Sequence, residues 1–234
     1  MTVAVPSLSS LAAGEVWLFA FALDLPESSV AELARLISTD EADRAARFRQ
    51  ERERRRYLVH RAKTRAVLAA CVGEQPANLT FQYGSQGKPG LAPRGCSPDV
   101  RFNMSRSNEV GLLAIQLDVD LGVDIEHIRS FPVALDIAER FFTVEENARL
   151  RSLPRDAVDA AFFGYWTRKE AIVKAMGRGL TQPIDVFTLA ATPSPDGERV
   201  FGHWVMSVPP SAEGYVVAVA SPRSIPKVRT FHQW

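Results

Sequence analysis

An unbroken apolar run from Val16 to Leu23, rich in aromatic and branched residues and closed by Asp24-Leu-Pro26, predicts a buried strand ending in a turn. Val30, Leu33 and Leu36 recur at helical spacing within Glu27 to Ile37. Ser38-Thr39-Asp40 offers capping residues before a long helical stretch, about Glu41 to Val72, bent or broken near Gln50 to Arg52. Leu79 to Tyr83 predicts a short strand. Gly84 to Asp99 holds four glycines and three prolines and is predicted to be largely loop. Val100 to Met104, Val110 to Leu117 and Gly122 to Glu126 predict three strands, the last two joined as a hairpin through Asp118 to Leu121. Helices follow over Pro132 to Arg140, Val144 to Leu153 and Ala157 to Met176, with Gly177-Arg-Gly179 closing the last. Leu180 to Pro183 reads as loop. Strands are then expected over Val186 to Ala191, Val200 to Val208 and Tyr215 to Ala220, with the tail from Ser221 lying over the body.

The order is strand, helices, strands, and then the same again. It predicts an α+β chain of two similar halves, residues 1–119 and 120–234, with a boundary near Val119 to Gly122 and a site where they meet. Composition adds only exclusions. At 234 residues, 46% hydrophobic and 24% charged, the chain matches an ordinary globular protein, and a net charge of +1 gives no bulk attraction to nucleic acid. Cys71 and Cys96 show no zinc or disulfide spacing, so a reducing cytoplasm is expected. Val16 to Leu23 is too short to span a bilayer.

The candidate chemistry lies in two segments. In the strand Gly122-Val-Asp124-Ile-Glu126 the two carboxylates share one face. In Trp166-Thr-Arg-Lys169-Glu170-Ala-Ile-Val-Lys174, Glu170 and Lys174 stand four apart on one helix face, acid first. Three carboxylates suit a hard divalent cation such as Mg²⁺, and lysines beside it suit phosphate. Either piece alone is also what a polar strand face and a surface salt bridge look like. Arg47 to Arg65 is arginine-rich, but Glu51 and Glu53 interrupt it, and a nucleic-acid helix is not expected. His60, His127, His203 and His232 show no metal spacing and read as surface or packing residues. Ser105 and Ser107 lack the Gly-x-Ser-x-Gly elbow of a serine hydrolase, and Gly177-Arg-Gly179 lacks the lysine of a phosphate loop.

Taken in order, these segments resemble the Sfp-type 4′-phosphopantetheinyl transferases. Besides the two above, the resemblance includes Tyr83-Gly84-x-x-Gly87-Lys88-Pro89, Asn103-Met104-Ser105-Arg106-Ser107 and Arg140-Phe141-Phe142-Thr143-x-x-Glu146. It implies transfer of the phosphopantetheine arm of coenzyme A to a serine of an apo acyl or peptidyl carrier protein, as a holo-acyl-carrier-protein synthase does, with release of 3′,5′-ADP. Fatty acid, polyketide, nonribosomal peptide and amino-acid-reducing pathways all remain open as clients. By the same resemblance Asp124, Glu126 and Glu170 hold Mg²⁺, with Mn²⁺ as an alternative. Lys174 and Lys169 serve the pyrophosphate, and Arg56, Arg61, Lys88, Ser105 and Arg106 the coenzyme A phosphates. The base is Glu170 or a metal-bound hydroxide. The arginine-rich stretch would also steer an acidic carrier. With both halves in one chain, a monomer is expected. Arg106 stands where the family usually has histidine, which keeps open a catalytically impaired relative that only binds coenzyme A or a carrier. A Mg²⁺-dependent phosphodiesterase would retain the same carboxylates.

Overall fold

A computed structural model describes residues 5–92, 99–177, 188–189, 198–200, 204–207, 209, 211–222 and 227–233. The chain is α+β. The first half runs β1 (Val16–Ala22), α1 (Glu27–Leu33), α2 (Thr39–Ala46), α3 (Glu51–Val72), β2 (Phe81–Tyr83), β3 (Pro89–Leu91), β4 (Val100–Ser107) and β5 (Val110–Leu117). The second runs β6 (Gly122–His127), α4 (Ala134–Phe141), α5 (Val144–Ser152), α6 (Arg155–Met176), β7 (Glu198–Val200), β8 (Trp204–Ser207) and β9 (Tyr215–Ser221). A final strand, β10 (Val228–Gln233), returns to the first half and pairs parallel with β1.

Two four-stranded sheets result, ordered β10-β1-β5-β4 and β6-β9-β8-β7. One face of the first packs on α1 and α3 through Trp17, Phe19, Phe21, Val59 and Leu68. One face of the second packs on α4–α6 through Phe142, Phe162, Ile172, Ala218 and Ala220. The remaining faces meet each other through Val16, Leu18, Leu112, Ala114, Val123, Ile125, Val217 and Val219. Because β1 is covered on both sides, its sequence is continuously apolar instead of alternating.

Several expectations change. The predicted hairpin between Val110–Leu117 and Gly122–Glu126 does not form: β5 is already flanked by β1 and β4, so β6 pairs with β9 in the other sheet. The break expected near Gln50 to Arg52 falls at residues 47–50, giving two helices, and the Ser38–Glu41 capping box starts the first of them. Part of the predicted loop is a strand, Pro89–Leu91, paired with β2. The single strand expected over Val200 to Val208 is instead β7 and β8, paired antiparallel. Of the strand expected over Val186 to Ala191 only Thr188 and Leu189 are described, and neither is in a strand; Leu180 to Pro183 lies outside the described residues. The tail from Ser221 contributes β10, whose Phe231 stacks on Phe19 at 4.8 Å. Among the described residues no helix is long and apolar enough to cross a membrane.

Candidate active site

Alternation along β6 sends Val123 and Ile125 into the core between the sheets, leaving Asp124 and Glu126 to the opposite face, over which α6 lies. What brings the helix so close is Gly122. A Cβ there would collide with the backbone of α6 at Ala171 and Ala175, so only glycine fits. Along α6, Glu170 and Lys174 lie one turn apart. Gly177 closes the helix in the left-handed region, φ +66°, which a side chain would disfavour.

Asp124, Ser105 and Lys174 converge. The Ser105 hydroxyl donates to Asp124 Oδ1 at 2.8 Å, and Lys174 Nζ donates to the same oxygen at 2.6 Å and to Ser105 Oγ at 2.9 Å. Ser107 donates to Glu126 Oε2 at 2.9 Å. Beside them a cavity of about 270 Å³ is walled by Gly87, Lys88, Asn103 and Met104 from the first half and by Glu170, Val173, Lys174 and Gly177 from the second. Burial, then the neighbouring Asp124 charge, push the Glu170 carboxyl up to about 7, against the pull of Lys174. Glu126 is raised too, first by burial and then by Asp124.

The donor set fits a hard divalent cation: three neighbouring carboxylates, with Asp124 Oδ2 and Glu170 Oε1 buried and, among the described residues, without a hydrogen-bond partner. The side chains do not close around one as they stand. Among the described residues no group of three or more His, Cys, Asp or Glu is gathered tightly enough to hold a metal, and Lys174 takes the second oxygen of Asp124.

Residues 120–220 match the family model for the 4′-phosphopantetheinyl transferase superfamily, and residues 26–117 match the model for a 4′-phosphopantetheinyl transferase N-terminal region. The 4′-phosphopantetheinyl transferase HetI of Nostoc sp. is 37% identical over 189 residues, 81% of this chain and 79% of its own. The chain belongs to the 4′-phosphopantetheinyl transferase superfamily. Sfp of Bacillus subtilis is 29% identical over 153 residues, 65% of this chain and 66% of its own length. The L-aminoadipate-semialdehyde dehydrogenase-phosphopantetheinyl transferase of Mus musculus is 30% identical over 185 residues, 75% and 59% of the respective chains.

As a transferase of this family, the chain places its other predicted site residues unevenly. Lys88 is at the cavity, but its ammonium donates to the carbonyls of Leu121 at 3.0 Å and Ala175 at 3.2 Å, capping the end of α6. Lys169 is not there. A helix advances about 100° per residue, so Lys169 leaves the Glu170 face and is fully buried in an ion pair with Glu146 at 3.0 Å, beneath the Phe142 ring. Arg56 is buried against Asp24 through bonds of 2.7 and 2.8 Å. Arg61 is buried too, sharing Glu41 with Arg65 beside the Phe81 ring. Neither reaches the carboxylates. Arg106 projects toward α3, bonded to Glu53 at 2.8 Å and lying over Phe48. His60 is buried, its ring nitrogen on the Leu112 carbonyl, and burial holds it down to about 3.

Sequence reasoning assigned no role to Glu146. Its carboxylate accepts from Thr143 N at 2.9 Å and Leu189 N at 2.8 Å as well as from Lys169. The Thr-x-x-Glu capping box was its sequence signal. Glu41 showed only the Ser-x-x-Glu pattern of a capping box and Asp24 only a turn, and neither pointed to its arginines, which lie 20 to 32 positions away.

Proposed function

We propose that this protein transfers the 4′-phosphopantetheine arm of coenzyme A to a serine hydroxyl of an apo acyl or peptidyl carrier protein, releasing 3′,5′-ADP, with Mg²⁺ or Mn²⁺ held by Asp124, Glu126 and Glu170. The serine oxygen forms a bond to the phosphorus bearing the pantetheine. The phosphorus–oxygen bond within the pyrophosphate breaks, and the serine proton leaves to a base. The observation that carries this reading is the meeting of Asp124, Ser105 and Lys174 at a cavity walled by Lys88 and Glu170, in a chain of this family.

Asp124, Glu126 and Glu170 would hold the divalent cation, which would neutralise charge developing on the 5′-phosphate of the departing 3′,5′-ADP. The chain's own residues do the rest. Lys174 is held by Asp124 and Ser105 at the cavity wall, where its ammonium serves as a fixed point charge for a phosphate oxygen. Lys88 offers a second charge if it exchanges a carbonyl for phosphate. Glu170 lines the cavity, where its carboxylate, or a hydroxide on the bound cation, would accept the serine proton. Little covalent chemistry is asked of the protein, since phosphoryl transfer is mostly positioning and charge stabilisation. Both halves lie in one chain, which supports action as a monomer, and the two cysteines without pairing pattern support a reducing cytoplasm.

The test is intact-mass spectrometry of a panel of apo carrier proteins incubated with this protein, coenzyme A and Mg²⁺, with an EDTA control. A gain of one phosphopantetheine arm, dependent on metal, is the expected result. No gain on any carrier, with coenzyme A still bound, overturns the reading.

A further inference from the structure

Strands β4 and β6 are each the edge of their own sheet, and the two edges lie side by side. An edge strand presents unpaired amides, and a buried amide without a partner is costly. Here the partners are side chains at alternate positions of β4. Asn103 Oδ1 accepts from the buried Val123 amide at 2.9 Å. Ser105 reaches Asp124 at 2.8 Å. The Ser107 hydroxyl donates to Glu126 Oε2 at 2.9 Å while accepting from the His127 amide at 3.0 Å. The period of two places all three rungs on one face of β4, and their partners run in order along β6.

Direct backbone pairing would draw the strands to about 4.8 Å and fuse the sheets. Rungs made of side chains hold the edges further apart and leave between them the space where Ser105, Asp124 and Lys174 meet. They also fix register: each rung has one matching group on β6, so sliding by one residue would break all of them.

We propose that Asn103 and Ser107 are positioning residues for transfer, the outer rungs of a side-chain ladder that fixes the carboxylates of β6 against the first half of the chain. The inference rests on the transfer reading for its kinetic consequence but not for the ladder itself.

The experiment pairs amide hydrogen exchange, followed by NMR, with carrier loading kinetics on Ser107→Ala, Ser107→Thr and Asn103→Leu. In the wild type the Val123 and His127 amides exchange slowly. Ser107→Ala should speed exchange at His127 about tenfold or more while sparing Val123, and Asn103→Leu the reverse. Ser107→Ala should lower kcat about tenfold, with the Kd for coenzyme A measured by calorimetry without metal within about threefold of wild type. Ser107→Thr, which keeps the hydroxyl, should restore both readouts. Unchanged exchange at His127 in Ser107→Ala overturns the ladder. Altered exchange with unchanged kcat, or no rescue by threonine, overturns the positioning role. A wild type with slow amides that loads no carrier would instead sink the transfer reading and leave the ladder standing.

Discussion

Two clusters of buried charge, the first around α3 and the second between β6 and α6, are treated in opposite ways, although Lys169 and Glu146 also form a matched pair deep in the second half. In the first, cations and anions are matched: Arg61 and Arg65 share Glu41, and Arg56 lies on Asp24. Each of these carboxyls is held below its usual range, Asp24 chiefly by its hydrogen bond from Arg56, Glu41 by its arginines against the cost of burial. In the second, between β6 and α6, carboxylates crowd one another, two of their oxygens have no partner among the described residues, and Glu170 and Glu126 are raised. Matched charge fastens elements together, whereas unmatched charge is what a ligand or a metal completes. Substitutions on the two sides should therefore separate activity from stability.

The largest effect is expected at the unmatched side. Asp124→Asn and Glu170→Gln should each lower single-turnover carrier loading by about 10³-fold or more, with the far-ultraviolet circular dichroism unchanged. A loss under about tenfold in either would remove that carboxylate from the reaction. At the matched side, Glu41→Gln leaves two buried guanidiniums short of their anion and should cost about 3–5 kcal/mol of stability, read from urea melts. Loading per folded molecule should stay within about threefold. If instead loading collapses while the melt is unmoved, Arg61 belongs to the ligand site and not to the frame.

The same contrast has a pH signature. A carboxyl whose pKa is raised on folding stabilises the protein below its unfolded pKa of 4.5 and loses that contribution as pH rises through its folded value of about 7. In metal-free protein, wild type should therefore weaken relative to Glu170→Gln by about 2–3 kcal/mol between pH 5 and pH 8. Asp24 and Glu41 are shifted the other way, so their contributions are lost only as pH falls below the ordinary carboxylate range. A constant difference between the two proteins across this window would mean Glu170 is not desolvated in solution.

Legibility in the sequence followed the range of the interactions. The apolar run of β1, the helical face of α6 and the alternation of β6 are local patterns, and each element appears within a few residues of its expected bounds. The two-half organisation followed from their order. Partner choice did not: nothing local says that β6 leaves β5 for β9, or that the tail pairs with β1 across some two hundred positions. The Glu170–Lys174 spacing placed both side chains at one cavity, while Lys169, adjacent in sequence, turned into the core because Glu146 awaited it there. The arginines of α3 looked like a free basic face, since Asp24 and Glu41 stand 20 to 32 residues from them.

Arg106 is the residue where the two kinds of charge meet, and it carries the smallest expected effect. It is matched by Glu53, yet its side chain keeps 25% of its exposure and lies over Phe48, so its guanidinium is open on one side. An anionic ligand at this corner would exchange with Glu53 instead of entering an empty site, and the exchange returns only the difference between two ion pairs. Arg106→Ala should therefore weaken coenzyme A binding about tenfold or less by calorimetry, equivalent to about 1.4 kcal/mol. Arg106→His, which retains a donor, should lose less. Equal affinity for wild type and Arg106→Ala would assign Arg106 to the matched frame with Arg56 and Arg61, as a tie between β4 and α3.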